Sequence, residues 1–416
     1  MSLHVAVIGA GAVGVISAIE LLRAGYRVTL IEPGRPGGEQ AASYGNAGWL
    51  SCQSVIPTST PGMWKKVPRF LLDPLGPLAI RWPYLPRVAP WLLRSLLAGS
   101  TFERITRTAG ILQPLLQDTL ALHTALASEA GVSHLIAPGG VLHAYPDQAA
   151  FAAENRGWAI RSSVGIRWRE LSGEALHREV PALPERYTVA RMVEGAGRCR
   201  DPGAYVAALA GLARARGAQV LEAAARDFRF EADRLRAVIT DRGEVPCDRV
   251  VIAAGARSKP LTVRLGDPMP LESERGYHVM VEGASVGLTS SFMASDGKIV
   301  VHEMERGLRV AGQVEIASVD AAPDWRRAEI LKAHLARLYP RLDLSGAKFW
   351  LGHRPAMADG RACIGRSRRS ADVIYAFGHG HVGLVASART GRLMPDLIEG
   401  RKTEIPLDGF DPSRFR

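Results

Sequence analysis

Cysteine is scarce: Cys52, Cys199, Cys247 and Cys363 are the four among 416 residues, far apart and without a C-x-x-C pair. A zinc ribbon or a redox dithiol is therefore unsupported, and the four read as reduced thiols. No run of eighteen apolar residues occurs, which leaves no candidate membrane-spanning helix. Met1 leads directly into an apolar strand with no basic n-region and no cleavage signal, so a cytoplasmic location is expected. Internal repeats and low-complexity tracts are missing as well. Acidic residues are outnumbered, 41 against 52 Lys+Arg, for a net charge of +11. That balance favours anionic partners in general. The basic residues are mostly scattered arginines without a block, however, so nucleic acid is not an expected partner.

Apolar residues are plentiful: 47% of the chain is hydrophobic and 22% is charged. At this length a single core usually stops growing, and two domains or two interleaved lobes are expected. The 43 glycines and 26 prolines show no period, which suits a loop-rich α/β enzyme.

The strongest local pattern is at the start. Val5 to Ile8 is an apolar strand, a glycine cluster follows, Val13 to Ala24 has helical periodicity, Gly25 stops it, and Val28 to Ile31 is a second strand. From Pro57 to Ala98 the composition shifts to Pro, Trp, Leu and Arg, with a helical stretch from Leu112 to Ala130 beyond it. Short strand-like runs at Val141 to Ala144, Tyr187 to Val193, His278 to Val281, Ile299 to Val301 and Leu308 to Val314 predict a largely antiparallel sheet. A helix opened by Pro202 and strands up to Arg249 to Ala253 return the chain to the first lobe. A last strand, Val373 to Phe377, runs into a glycine-rich turn and a helix from about Leu384 to Ile398.

Gly9-Ala10-Gly11-Ala12-Val13-Gly14 is a G-x-G-x-x-G between a strand and a helix, the context a dinucleotide fingerprint requires. Gly9 permits the tight turn, Gly11 lets a pyrophosphate approach the backbone, and Gly14 lets the helix close on the strand. The helix N-terminus offers free N–H groups and a positive dipole end to the phosphates. Glu32 ends the second strand 18 residues after Gly14, where its carboxylate can accept from ribose hydroxyls and disfavours a 2′-phosphate.

FAD and NAD share this fingerprint. Three further features favour FAD over their plainer readings, which are respectively an ordinary buried strand, a surface loop and a glycine-rich connection. Val250 to Gly255 is a second apolar strand ending in the small residues Ala254 and Gly255, suited to passing beneath a cofactor. The segment Ala41 to Gly48, with Ser43, Asn46, Ala47 and Gly48, is small enough for a flat ring to lie against its backbone. Gly378-His379-Gly380-His381-Val382-Gly383 precedes Leu384 and the last helix, whose dipole can stabilise negative charge on a flavin edge. Metal ligation by His379 and His381 is the weaker reading, since no carboxylate or cysteine sits at ligand spacing.

With these residues assembled, the chain resembles the D-amino-acid oxidase superfamily of FAD-dependent oxidoreductases, and within it the D-amino-acid dehydrogenases and their hydroxyproline-oxidising relatives. The likeness spans essentially the whole chain. It includes the N-terminal fingerprint, Ser43 to Gly48, Leu71 to Pro77 with Ile80-Arg81-Trp82, Glu274-Arg275-Gly276-Tyr277-His278, Gly352-His353-Arg354-Pro355, and Gly378 to Gly383. The resemblance implies an α/β fold: a discontinuous Rossmann-like FAD-binding domain (1–50, 195–265 and 350–416) and an α+β substrate domain on a largely antiparallel sheet (51–194 and 266–349). It also implies that Arg354 binds a substrate carboxylate, as a guanidinium fork can, and that Tyr277 helps hold the substrate. Strand alternation sends Tyr277 and His278 to opposite faces, and Tyr277 is taken as the one facing the flavin. His278 and His302 are secondary pocket candidates. Relatives with covalent FAD use a His near Gly45 or a Cys near Gly352; here Tyr44 and Asn46 occupy the loop and the nearest Cys is Cys363, so non-covalent FAD is expected. The family's Pro-Asp pair downstream of the arginine reads Ala358-Asp359 here.

The implied reaction is oxidation of a small amino acid, of D configuration or proline-like, by hydride transfer from its α carbon to flavin N5. Positioning residues suffice for this step and no acid–base pair is nominated. Two alternatives stay open: a glycine- or sarcosine-type amine oxidase, and a flavin-bearing electron-relay subunit of a larger complex. Oxygen or a quinone is the electron acceptor, and partner subunits are left open. Trp64, Trp82 and Trp91 with Lys65, Lys66, Arg69, Arg81, Arg87 and Arg94 suit either peripheral contact with the inner face of a membrane or a packed cap over the site. The prolines from 68 to 90 are expected to break any long amphipathic helix there.

Overall fold

The computed structural model describes residues 2–73 and 75–415, apart from the side chains at 66 and 69–71. Pro74 and the side chains of Lys66, Arg69 and Leu71, all named in the sequence reading, lie outside that description.

The strand His4–Ile8 lies at the centre of the nucleotide lobe. It runs parallel to Arg27–Glu32 on one side and Arg249–Ile252 on the other. Gln219–Glu222 and Val373–Phe377 extend the sheet, and Cys363–Arg366 closes it antiparallel. Parallel strands covered on both faces read as continuous apolar runs. Val5 and Val7 face one core while Ala6 and Ile8 face another. The helix Ala12–Arg23 crosses between the first two strands and packs on Pro202–Ala215 and on the last helix, Gly383–Glu399.

The second sheet has the order Lys348–Met357, Leu271–Glu282, Gly307–Ile316, Ile299–Met304, Ser291–Ala294, Val141–Tyr145, Val189–Val193, Trp168–Ser172, with Leu78–Ile80 beside Gly307–Ile316. It is antiparallel except where Ser291–Ala294 meets Val141–Tyr145 and where Leu78–Ile80 joins. One face of Leu271–Glu282, with Tyr277, Val279 and Val281, packs in a core beneath the helix Arg326–Leu338. The other face turns to the nucleotide lobe.

The structure corrects several boundaries. Lys348–Met357 pairs along its whole length with Leu271–Glu282, so the strand carrying Arg354 belongs to the antiparallel sheet. The helices Phe102–Leu116 and Thr119–Glu129, expected in the substrate lobe, pack on Gly383–Glu399. They are two helices because Asp118 takes a left-handed conformation (φ 57) between them. A 14-residue helix, Leu85–Ala98, forms despite its prolines. Pro86 sits in the first turn, where a missing N–H costs nothing, and it is the residue that Pro90's absent N–H would have bonded. Val88 and Trp91 are buried, and Trp91 Nε1 donates to Ala356 O at 3.0 Å, docking this helix on the Arg354 strand. Leu93 and Leu97 face outward. Of the nine exposed large hydrophobics among the described residues, six lie between 64 and 97, so the apolar surface is concentrated on this segment. Among the described residues no helix is long and apolar enough to cross a membrane.

Candidate active site

A cavity of about 1230 Å³ runs from the glycine turn of the nucleotide lobe to the antiparallel sheet. Gly9, Gly11, Ala12, Val13 and Glu32 line one end. Gly11 caps the first helix and no side chain supplies a hydrogen bond there, so the first N–H groups stay open to an anion. The hydroxyl of Ser43 lies beside Gly11, buried and without a hydrogen-bond partner among the described residues. A phosphate oxygen at the helix mouth would satisfy both. Gly14 does not reach the cavity; a Cβ there would collide with the Gly9 carbonyl, so its task is close packing. Glu32 accepts from Ala10 N–H at 2.7 Å and from Gln40 Nε2 at 3.4 Å. Burial raises its pKa, and those two hydrogen bonds pull it back.

Ser43, Asn46 and Ala47 line the middle, on a loop held from beneath. Asn46 Oδ1 accepts from Gly48 N–H at 2.8 Å, and Arg309 donates to Asn46 O at 2.7 Å. His302 Nδ1 lies 2.6 Å from Ala47 O, and burial depresses its pKa to about 3. A neutral ring so placed is the Nδ1–H donor. His302 thus supports the loop from outside the cavity wall, which also leaves out Gly48. Ala254 and Gly255 line the wall, as do Gly380, His381, Gly383 and Leu384 at the start of the last helix, which no side chain caps. Gly378 and Val382 border a small adjoining cavity of about 30 Å³.

At the far end the strand pair 271–282 and 348–357 sets Glu274 opposite Arg354 and Gly276 opposite Gly352. Directly paired residues share a face, so Glu274, Gly276, Arg354, His278 and Trp350 all turn toward the nucleotide lobe. The Arg354 guanidinium lies across Gly276, where any Cβ would collide with it. Its Nη1 donates to Gln313 O at 3.2 Å. Gln313 sits at a register irregularity with φ 61, and such a bulge can re-aim a carbonyl. Glu274 is 5% exposed and within 3.4 Å of the Thr58 hydroxyl. Burial raises its pKa and Arg354 lowers it, yet neither group is in an ion pair with any described residue. His381 also faces this end, held neutral at about 4 by burial and by the guanidiniums of Arg354 and Arg161.

The alternation predicted for Tyr277 and His278 is present: Tyr277 borders the cavity, although its hydroxyl points into the core beyond the sheet, and His278 lies on the opposite face. Tyr277 OH donates to Glu315 Oε2 at 2.8 Å and accepts from Asp324 N–H at 3.0 Å, on the side away from Glu274 and Arg354. His278 is the one on the flavin-lobe face, where it approaches Gly45 O at 3.3 Å and stacks on Trp350 at 4.9 Å, without lining the cavity. Sequence reasoning missed Glu274 as a site residue, along with Thr58, Gln313 and Trp350. Glu274 was legible as an alternate-position neighbour of Gly276, but only with the facing strand known. No group of three or more His, Cys, Asp or Glu among the described residues could hold a metal.

The long cavity, its open helix mouth, the orphaned Ser43 hydroxyl and the ribose-side carboxylate fit FAD. Comparison with known proteins agrees. The model of the family described as DAO, FAD dependent oxidoreductase, matches residues 4–397. A Bradyrhizobium diazoefficiens protein named D-amino-acid oxidase is 58% identical over 416 residues, covering 99% of each chain. A Methylobacterium sp. protein named D-amino acid dehydrogenase is 30% identical over 422 residues, covering 100% of this chain and 99% of its own. Among solved structures, glycine oxidase from Geobacillus kaustophilus superimposes with a TM-score of 0.75 at 24% identity, covering 99% of each chain. L-proline dehydrogenase from P. horikoshii gives a TM-score of 0.76 at 19% identity, covering 100% of this chain and 98% of its own. These two share the fold.

Proposed function

This chain belongs to the DAO family of FAD-dependent oxidoreductases, and from that premise we propose that it oxidises the α carbon of a small amino acid, of D configuration or proline-like. The observation that carries this reading is the pair Arg354 and Glu274. They are opposite charges on facing strands that line one cavity and act on each other electrostatically without closing into an ion pair, so both remain open to a ligand. An α-amino acid is a zwitterion of matching polarity.

Arg354 pairs with the α-carboxylate through charge-assisted hydrogen bonds. Glu274 receives the ammonium group, and a carboxylate whose pKa burial has raised is suited to take one of its protons. The amine lone pair so freed assists departure of the α-hydrogen with its electron pair, and no base is needed at carbon. FAD, which the open helix mouth at Gly11 with Ser43 and Glu32 would hold, would supply the hydride acceptor. The imine either takes up water to give a 2-oxo acid and ammonium or, from a proline-like substrate, persists as a ring. The neutral His381 adds no positive charge to the space beside Arg354.

An electron-relay subunit would have no use for a buried zwitterion trap, which favours catalysis by this chain itself. A glycine- or sarcosine-type substrate fits the same pair and is separated only by assay. The name of the 58% identical relative supports oxygen as acceptor and D configuration; a quinone is the alternative acceptor. FAD is read as non-covalent, since no cysteine among the described residues lines the cavity and Cys363 is wholly buried elsewhere. The exposed apolar face around Trp64, Trp82, Leu93 and Leu97 supports peripheral membrane contact.

The decisive experiment is anaerobic mixing of purified yellow protein with D- and L-amino acids, including the proline and hydroxyproline stereoisomers. Bleaching of the flavin by at least one is expected. Colourless protein that takes up no FAD, or a flavin that none of them bleaches, overturns the reading.

A further inference from the structure

A second guanidinium faces the same cavity away from the glycine turn. Arg161, on the helix Asn155–Ser163, lies over the Trp158 ring at 4.6 Å and donates through Nε to Gln53 O at 3.0 Å. Its terminal nitrogens have no hydrogen bond and no ion pair among the described residues. Its charged neighbours are already engaged. Lys298 Nζ is on Glu154 at 2.7 Å, and Tyr145 OH donates to the same carboxylate at 2.8 Å. Arg191 is held by Phe151 O at 3.2 Å and by Asn155. Arg161, Arg191 and Lys298 against Glu154 leave this end of the cavity with excess positive charge. Arg161 is half-buried; burial lowers its pKa, and Glu154, already engaged by Lys298 and Tyr145, offsets this only in part.

The Gln53 side chain adds a donor. Its Oε1 is 2.7 Å from His143 Nε2, and His143 is held neutral by burial at about 3. The ring is therefore the donor in that bond, so the Gln53 amide nitrogen is left for the cavity that Gln53 lines. Arg161 and Arg354 both depress His381 electrostatically, and all three line the same cavity.

We propose that Arg161, with the Gln53 amide, forms a subsite for an anionic side-chain group, so that the preferred substrates are acidic amino acids whose α-carboxylate sits on Arg354. This rests on the amino-acid-oxidising reading above and adds to it a substrate class. Binding at the subsite involves no bond making beyond the oxidation already described.

The test compares D-glutamate with D-glutamine, and D-aspartate with D-asparagine, in anaerobic flavin reduction by the FAD-loaded protein. The acid is expected to exceed its amide by about 10²-fold in kcat/KM, and Arg161→Gln to collapse that ratio by a similar factor, mainly through KM. Independently of turnover, glutarate is expected to perturb the flavin spectrum at concentrations about 10²-fold lower than butyrate, and this preference too should vanish in Arg161→Gln. An amide as good as its acid in the wild type, or a ratio that Arg161→Gln leaves intact, overturns the subsite. Neutral D-amino acids bleaching the flavin in that case would leave the broader reading standing, whereas no bleaching by any amino acid removes that reading itself.

Discussion

The guanidinium of Arg354 lies across the backbone of Gly276, one strand away, in space that a single methyl group at position 276 would occupy. The position of the cation that would anchor a carboxylate is thus set by the absence of a side chain on its neighbour. Gly276→Ala is expected to displace it without unfolding the sheet, because alanine tolerates extended backbone. A loss of about 10²-fold in kcat/KM is anticipated, equivalent to weakening a charge-assisted bidentate contact. Stopped-flow flavin reduction beside circular dichroism checks this; unchanged kinetics in a folded variant would remove Arg354 from its role.

Glu274 is the group expected to impose an acid-side limb on the reaction. Burial raises its pKa, so below that value it carries a proton and can accept none from the substrate ammonium. Activity therefore rises with pH as Glu274 ionises. Glu274→Gln is expected to lower kcat/KM by about 10²-fold or more and to abolish this limb. A variant that is slower but keeps the wild-type profile would assign Glu274 a structural part only.

Glu32 and the open first helix are expected to hold FAD without a covalent bond. Acid precipitation should release all of the yellow chromophore into the supernatant, and Glu32→Ala should weaken FAD retention by roughly tenfold, the loss of about one hydrogen-bonded carboxylate. Colour remaining in the pellet contradicts this.

Several histidines are buried in the neutral form. His123 is 0% exposed between Tyr205 OH and Leu384 O, and burial lowers its pKa from 6.5 to about 4. In the unfolded chain it takes a proton near 6.5, in the folded chain only near 4. Stability is then fully present above 6.5 and declines as pH falls from there toward 4, by roughly 3 kcal/mol for this group alone. Thermal melts from pH 8 to pH 4 should show Tm falling in that window, and a flat Tm would contradict the neutral assignment.

The segment from Trp64 to Leu97 is expected to bring the protein to anionic vesicles at low ionic strength and to release it at high salt. Sedimentation with phosphatidylserine vesicles measures it. Protein that stays in the supernatant under both conditions excludes peripheral contact, and the exposed face must then be explained otherwise.

The nucleotide lobe was readable because its signals are local. Gly9 to Gly14 is bounded within one strand–turn–helix unit, Glu32 lies at the end of the next strand, and each apolar strand declares itself by composition. The substrate end was readable only as a resemblance. Lys348–Met357, with its mixture of Lys, Trp, His and Arg, has no clean alternation, so nothing in its own sequence names Leu271–Glu282 as its sheet partner. Tyr277 and His278 stand on opposite faces, as alternation requires, but period two says nothing about which of them borders a cavity.

By itself, the sequence determined that a dinucleotide binds at the first helix, because the fingerprint is a matter of neighbouring backbone and needs no distant partner. Only the tertiary structure decided what stands at the other end of the cavity. Glu274, Arg354 and Arg161 are brought to it from three segments separated by 80 residues or more, and strand register, not sequence distance, fixes which charges meet a substrate and which are neutralised by their neighbours.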